Sequence, residues 1–392
     1  MSADPPSVRV PPPAFIAAAE VAAVLRALPD ARLVGGCVRD SLAGLAVADI
    51  DLATPQPPDS VIRAAAAAGL KAVPTGLDHG TVTLVSGGRG FEVTTLRRDV
   101  ATDGRHATVA FTDDWRADAA RRDFTINAMS MTRDGQVFDY FGGVADLHAG
   151  RVRFVGDPAT RIAEDYLRIL RFFRFWARFG RGDPDTPAAA AIAAGVAGLA
   201  RLSPERVWSE LRRILDLPDP SATVRLMDRL GVLAAVIPEG AAPERLARLV
   251  ARGAPADRML RLAALLDGPP TAFADRLRLS GAERDLLMAL RADDGPPAAT
   301  DTAGLRRALA LAPRPVVEGR LWLAGAEPEI LSRLAATETP VFALRGRDLT
   351  DAGIPPGPAV GELLESVRGW WLAQGCRGDV RAELARRLAE RH

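Results

Sequence analysis

Two aspartates separated by one residue, Asp49 and Asp51, carry the clearest chemical signal in this 392-residue chain. In an extended strand both side chains fall on one face, where the two carboxylates repel unless a cation lies between them. Hard divalent ions such as magnesium take oxygen ligands of this kind. Upstream, Gly35-Gly36 joins a strand-like run to a helical one opening with Val38-Arg39-Asp40. Glycine lets backbone N–H groups approach an anion, and a helix N-terminus adds partial positive charge. Arg39 could supply a second phosphate contact. Either feature alone is ordinary, since Asp-x-Asp recurs by chance and Gly-Gly also makes plain tight connections. Together they describe a site for a metal-bound nucleoside triphosphate.

Two further polar groups follow. Arg121-Arg122-Asp123 precedes Phe124-Thr125-Ile126-Asn127, which by itself reads as a surface pair leading into a buried strand. Glu164-Asp165-Tyr166-Leu167-Arg168 opens a run continuing through Arg171, Arg174 and Arg178. As one helix, this run sets Asp165 beside Arg168 and spreads the other arginines along a neighbouring face. Taken alone, that is an i,i+3 pair on a solvated helix, energetically minor.

The elements that must position these groups change character along the chain. Residues 32–34 and 49–53 are strand-like, 38–45 helical, and Asp59 is placed to cap an alanine-rich helix running to 68. Strand-like runs at 81–85 and 91–96 flank Ser86-Gly87-Gly88-Arg89-Gly90, which has hairpin chemistry. This half is α/β or α+β with a small sheet. Beyond residue 159, apolar residues recur at helical spacing through 162–179, 206–215, 224–236 and 244–249, and Pro/Gly clusters divide the helices into packets.

Composition excludes several classes. Apolar residues make up 48% and charged residues 25%, as in ordinary globular proteins, so general disorder is unlikely to be the organising state and a stapled small scaffold is ruled out by length. Two cysteines, Cys37 and Cys376, are too few for a disulfide framework or a zinc ribbon. None of the four histidines is followed by aspartate, which excludes a histidine-aspartate phosphohydrolase. No run reaches the length of a membrane span, and the N-terminal residues lack a signal-peptide pattern, so the expected compartment is the cytoplasm. Residues 151–230 hold 14 basic and 10 acidic residues, against 14 and 18 in residues 1–150. The middle of the chain is therefore where a polyanion could be gripped.

Four stretches carry a resemblance: LVGGCVRDSLAGLAVADIDLAT at 33–54, EVTTLRRDVATDGRHATV at 92–109, RRDFTINAMS at 121–130, and FDYFGGVADLHAGRVRFVGDPATRIAEDYLRILRFFRF at 138–175. In order and spacing they resemble the nucleotidyltransferase superfamily related to DNA polymerase beta, and more closely the class II tRNA CCA-adding enzymes and bacterial poly(A) polymerases. The resemblance is strongest to residue 175, continues through SPERVWSELRRIL and RLGVLAAVIPE to 239, and is weaker between about 240 and 341. It implies an α+β fold, a mixed-sheet polymerase-beta-like head (1–155) followed by an all-α neck (156–220), body (221–300) and tail (301–392).

By that resemblance, Asp49 and Asp51 bind two Mg2+ ions and are catalytic. Glu92 is either a third catalytic carboxylate or a solvated strand position. Gly36, Arg39, Arg122 and Asp123 bind nucleotide, the last two at triphosphate and ribose, with Asn127 a structural support. Asp165 and Arg168 become a protein template, with Arg171 and Arg174 on the nucleotide or its phosphates. The chemistry fits, because cytosine and adenine both present an amino donor beside a ring-nitrogen acceptor, matching a carboxylate and a guanidinium. Guanine and uracil reverse that pattern and leave buried polar groups unpaired. Many relatives carry proline where this chain has Tyr166, a change expected to alter helix geometry little.

The implied activity is template-independent addition of CCA to the 3' end of tRNA from CTP and ATP, with release of pyrophosphate. Residues 99–109, with Arg105, look like the complete flexible loop that CC-adding relatives shorten. Poly(A) polymerase and A-adding or CC-adding activities stay open, with a non-catalytic RNA-binding protein as a remote alternative. The expected partners are the tRNA 3' end, CTP and ATP, with no membrane and no protein partner. The tail run at 344–375 contains Trp370-Trp371, which either pack in a helical core or stack on RNA.

Overall fold

The computed structural model describes residues 5–102, 107–292 and 301–390. The chain divides between Pro238 and Glu239 into two compact units.

The first unit holds the described strands: β1 (Val8–Arg9), β2 (Arg32–Val34), β3 (Asp51–Thr54), β4 (Lys71–Gly76), β5 (Thr81–Ser86), β6 (Arg89–Thr95), β7 (Arg97–Thr102), β8 (Ala107–Phe111), β9 (Met129–Met131) and β10 (Gln136–Asp139). Eight form one sheet in the order β1-β10-β9-β2-β3-β6-β5-β4, while β7 and β8 make a separate ribbon. The β3–β6 pair is parallel and the other pairs in the sheet are antiparallel, so the expected mixed sheet is present. It is broader than expected because β1, β9 and β10 are too short to show a period of two. The β5–β6 hairpin turns through Gly87 and Gly88.

Packed with these strands are α1 (Ala19–Ala27), α2 (Gly36–Leu42), α3 (Pro58–Ala67), α4 (Trp115–Ala120) and α5 (Gly143–Ala149). Helix α2 starts two residues before the expected run. Asp59 falls in the first turn of α3, whose N-cap is Pro57, so it is not the cap. Strand β3 begins at Asp51, not at Asp49. On one side β2 reaches only Leu52 and Ala53, and on the other the pairing with β6 begins at Asp51 opposite Glu92. Nothing extends the ladder to Asp49, which sits in irregular backbone.

The helical run after the sheet is α6 (Pro158–Glu164), α7 (Leu167–Phe179), α8 (Thr186–Gly195), α9 (Pro204–Leu215), α10 (Ser221–Arg229) and α11 (Val232–Val236). The stretch expected as one helix over 162–179 is two. Asp165 is extended (φ −157°, ψ 106°) and ends α6, and its Oδ1 accepts the Leu167 N–H at 3.1 Å. Tyr166 follows at φ −62°. These are the angles a proline and its preceding residue would adopt, so tyrosine here keeps a proline-shaped elbow. Its ring lies against Gly198, where an added Cβ would sit 1.9 Å from Cε1. Gly231, at φ 73°, likewise splits the run expected over 224–236.

An aromatic core joins sheet and helices within this unit. Phe124 packs on Phe154 (4.9 Å between ring centroids), Phe175 (5.3 Å) and Phe172 (6.2 Å). Phe124, Phe154 and Phe172 are fully buried, each stabilising the fold by roughly 2 kcal/mol. Because Phe124 follows Asp123 directly and Phe172 and Phe175 lie on α7, this core fixes the polar residues of the two segments against each other.

The described part of the second unit is helical throughout. Helices at Pro243–Ala251, Arg258–Leu265, Pro270–Arg276 and Gly281–Arg291 precede those at Thr302–Leu311, Arg314–Ala324, Pro328–Ala336, Gly346–Asp351, Pro358–Ala373 and Val380–Ala389. Side-chain caps from Asp257, Ser280, Asp301 and Asp379 start several of them, each worth about 1 kcal/mol. Trp371 is buried with Leu363 and Val367 and stacks near Phe342 at 5.4 Å, and Trp370 packs against the same cluster. The tryptophan pair therefore belongs to a helical core.

Candidate active site

The backbone passes from β2 into α2 through Gly35, at φ 67°, a left-handed conformation that favours glycine. A Cβ there would come within 3.0 Å of Arg122 Nη1. This turn floors a cleft of about 510 Å³. Gly36, Arg39, Asp51, Arg122, Asp123, Asp165, Arg168, Arg171 and Arg174 all line it, together with Asn127, Phe175 and Arg206. Residues 140 positions apart in sequence thus share one cavity. Asp49 and Glu92 lie outside its lining, and Arg105 lies outside the described residues.

Asp51 and Glu92 are register partners in the parallel pair, and both are exposed. The Asp51 carboxyl is pushed above its ordinary range by partial burial and by the like charges of Glu92 and Asp49, with Arg122 acting in the opposite sense. Among the described residues no three acidic, histidine or cysteine side chains are gathered closely enough to hold a metal by themselves. The donor set is open and anionic, as suits a divalent ion whose remaining oxygens come from water and substrate phosphates. Glu92 is therefore an exposed strand residue that also bears electrostatically on Asp51.

The arginines of the cleft are held by acids. Arg171 donates to Asp123 Oδ2 (2.6 and 2.7 Å), and Arg174 Nε donates to Glu210 at 2.7 Å. Arg168 Nη1 donates to Glu164 at 2.5 Å and to the Arg161 carbonyl at 2.7 Å. Asp165 accepts from Arg206 at 2.7 Å. The i,i+3 pairing expected between Asp165 and Arg168 does not form, because the elbow at Tyr166 removes the helical spacing that would bring them together. Asp165 instead faces α9, and Arg168 faces back to α6 and the Arg121 carbonyl.

Two residues have narrower roles than expected. Arg39 is 6% exposed and donates to Asp40 Oδ1 (2.8 Å) and Asn127 Oδ1 (2.5 Å), while its guanidinium lies over Phe175 and Phe179. Little of it is left for a phosphate. Asp123 is buried and accepts from the Phe124 N–H, Asn127 Nδ2 and Arg171. Burial disfavours its charge, but Arg171, Asn127 and the Phe124 N–H outweigh that and hold the carboxyl below its usual range. With its acceptors filled, it orients Arg171 instead of reaching a ribose. Asn127 bridges Arg39 and Asp123, the support expected of it.

Arg206 and Glu210 were not singled out from the sequence. Glu210 is 3% exposed and gathers Arg174, Arg213 (3.2 Å) and Arg171 (4.0 Å). The signal was there: Glu210 stands three residues after Val207 and four before Ile214, on the apolar stripe of α9 where an unpaired acid would be costly.

Comparison with known proteins bears on the same regions. Residues 31–153 match the "Poly A polymerase head domain" family and residues 183–242 the "Probable RNA and SrmB- binding site of polymerase A" family. The chain is 37% identical to the mouse (Mus musculus) mitochondrial CCA tRNA nucleotidyltransferase 1, over 88% of this chain and 83% of that protein. The human (Homo sapiens) counterpart is 36% identical with the same coverage. The crystal structure of the Bacillus stearothermophilus CCA-adding enzyme in complex with CTP superposes with a TM-score of 0.75 at 29% identity, covering 95% of this chain and 98% of that one.

Proposed function

The chain belongs to the family of CCA tRNA nucleotidyltransferases and poly(A) polymerases, and from that premise we propose that it adds C, C and A in turn to the 3' end of tRNA. The observation that carries this reading is the single cleft. It brings together a carboxylate of the Asp-x-Asp pair, a Gly-Gly turn, arginines for a triphosphate, and one carboxylate and one guanidinium able to read a base.

Enzymes of this superfamily use divalent metals. Asp49 and Asp51, with Glu92 beside them, would hold them here, magnesium in our reading. Bound there, such ions make the RNA hydroxyl a better nucleophile and neutralise the departing pyrophosphate. The rest falls to side chains of this chain. Arg122, and Arg171 as steered by Asp123, bind the triphosphate. Asp165 accepts from the amino group that cytosine and adenine share, and Arg168 donates to the neighbouring ring nitrogen, each kept in place by Arg206 and Glu164. In each round the terminal RNA oxygen bonds to the α-phosphorus, the bond to the β-phosphate oxygen breaks, and pyrophosphate leaves. Head (1–155), neck (156–220), body (221–300) and tail (301–392) divide the labour, the neck carrying the base reader and the tail gripping tRNA. Arg105 belongs to the loop needed for the final A. We assign the protein to the cytoplasm; both cysteines are free, and no helix among the described residues is long and apolar enough to cross a membrane.

The test is incorporation of labelled CTP and ATP, separately and together, into tRNA transcripts ending before CCA, after C and after CC. Three additions that stop at CCA are expected. Long ATP-only tails would replace this reading with poly(A) polymerase, and bound tRNA without incorporation would replace it with a silent binder. Asp51→Asn serves as the control and should lower incorporation about a thousandfold, since metal stabilisation is worth several kcal/mol.

A further inference from the structure

The second unit contains a cavity of about 540 Å³ that the reaction above does not use. Four arginines line it, Arg245, Arg248, Arg252 and Arg291, and no acid does among the described residues. Three of the four are fixed by backbone carbonyls. Arg245 donates to Ala264 and Leu266 (3.1 and 2.7 Å), Arg252 to Gly325 and Ala326 (2.5 and 2.7 Å), and Arg291 to Ala263 and Asp267 (3.4 and 3.3 Å). Carbonyls satisfy hydrogen bonds but leave formal charge uncompensated. The Asp267 carboxylate pairs with Arg245 at 2.9 Å, but it is 61% exposed and stands outside the cavity wall. Arg248 is exposed and has no partner among the described residues.

One wall is different in kind. Trp322 packs with Leu249, Leu260 and Ala264, yet its indole N–H is buried with no acceptor among the described residues. A buried donor without an acceptor is costly and calls for a ligand or water. The volume is that of a small-molecule pocket, larger than a lone anion needs. Guanidinium planes and an indole offer flat surfaces for a base, and the arginine charge suits phosphate. We propose that this cavity binds a phosphorylated nucleoside, either a free nucleotide or a nucleotide of the bound RNA.

Equilibrium dialysis of the full chain with labelled ADP, which the transfer reaction cannot consume, separates the two sources. A free nucleotide predicts two ADP bound per wild-type chain, with Arg248→Glu retaining one and Trp322→Phe weakening the second about tenfold, the worth of one hydrogen bond to a charged group. Trp322→Phe keeps the packed ring and removes only the donor, so it tests the pocket without emptying the core. An RNA source predicts one ADP per wild-type chain, with Trp322→Phe lowering affinity for tRNA ending before CCA about tenfold at constant salt. Unchanged ADP stoichiometry together with unchanged tRNA affinity in both variants would overturn the proposal.

Discussion

The cleft of the first unit and the cavity of the second are both lined by four or more arginines, but the two sets are held differently. In the cleft, carboxylates fix the guanidiniums: Asp123 holds Arg171, Glu210 holds Arg174, Glu164 holds Arg168, and Asp165 is held by Arg206. In the cavity, backbone carbonyls do most of that work. A carboxylate aims a guanidinium and also cancels its charge, which suits a site that must read a base and release product. A carbonyl aims it and leaves the charge in place, which suits retention of an anion.

The largest effect should come from breaking the cleft at its most buried acid. Glu210→Gln leaves Arg174 and its neighbours uncompensated and is expected to destabilise the first unit by about 3 kcal/mol, the low end for a broken buried network because these guanidiniums reach water. Urea unfolding checks this, and CTP incorporation should fall with it. Next, Asp165→Ala removes the base-reading acceptor and the partner of Arg206. Discrimination against UTP and GTP should drop about a hundredfold in competition kinetics, whereas unchanged selectivity would sink the template assignment.

Acid provides a gentler probe. Because the folded-state pKa of Asp123 lies below its ordinary value, the stability it contributes is complete above the ordinary carboxylate range and is lost as pH falls through the depressed value. Wild type should therefore lose more stability than Asp123→Asn on acidification, a difference that thermal melts at successive pH values would show. The smallest change belongs to the cavity: Asp267→Asn removes an exposed partner of Arg245 and should shift stability by no more than about 0.5 kcal/mol. A shift near that of Glu210→Gln would erase the distinction between the two arginine sets.

The chemistry of the cleft was legible because its residue types cluster in sequence. Gly35-Gly36, Asp49-x-Asp51, Arg121-Arg122-Asp123 and Glu164-Asp165 each announce themselves within a few positions. The mixed sheet and the helical remainder followed from apolar spacing, but β1, β9 and β10 are too short for a period of two to register. Which side chains pair was less legible. Spacing predicts Asp165 with Arg168 only while the helix is continuous, and the break at Tyr166 is a backbone event that helical periodicity does not report. Arg39 offered the same difficulty, since a basic residue beside a glycine turn reads as a phosphate contact until the Phe175 and Phe179 rings close over it. Glu210 was hidden because its partners lie 36 and 39 residues away.

The elbow at Tyr166 also constrains the order in which this chain can change. With the tyrosine ring pressed on Gly198, any side chain at 198 would overlap it, so Gly198 is frozen while Tyr166 persists. Tyr166→Pro meets no such barrier, since φ −62° and an extended Asp165 already accept it. Once proline stands there, position 198 is released to vary. The history that joined these two residues therefore has a direction: glycine at 198 must have been in place before, or arrived with, the tyrosine, and only the elbow residue can leave first.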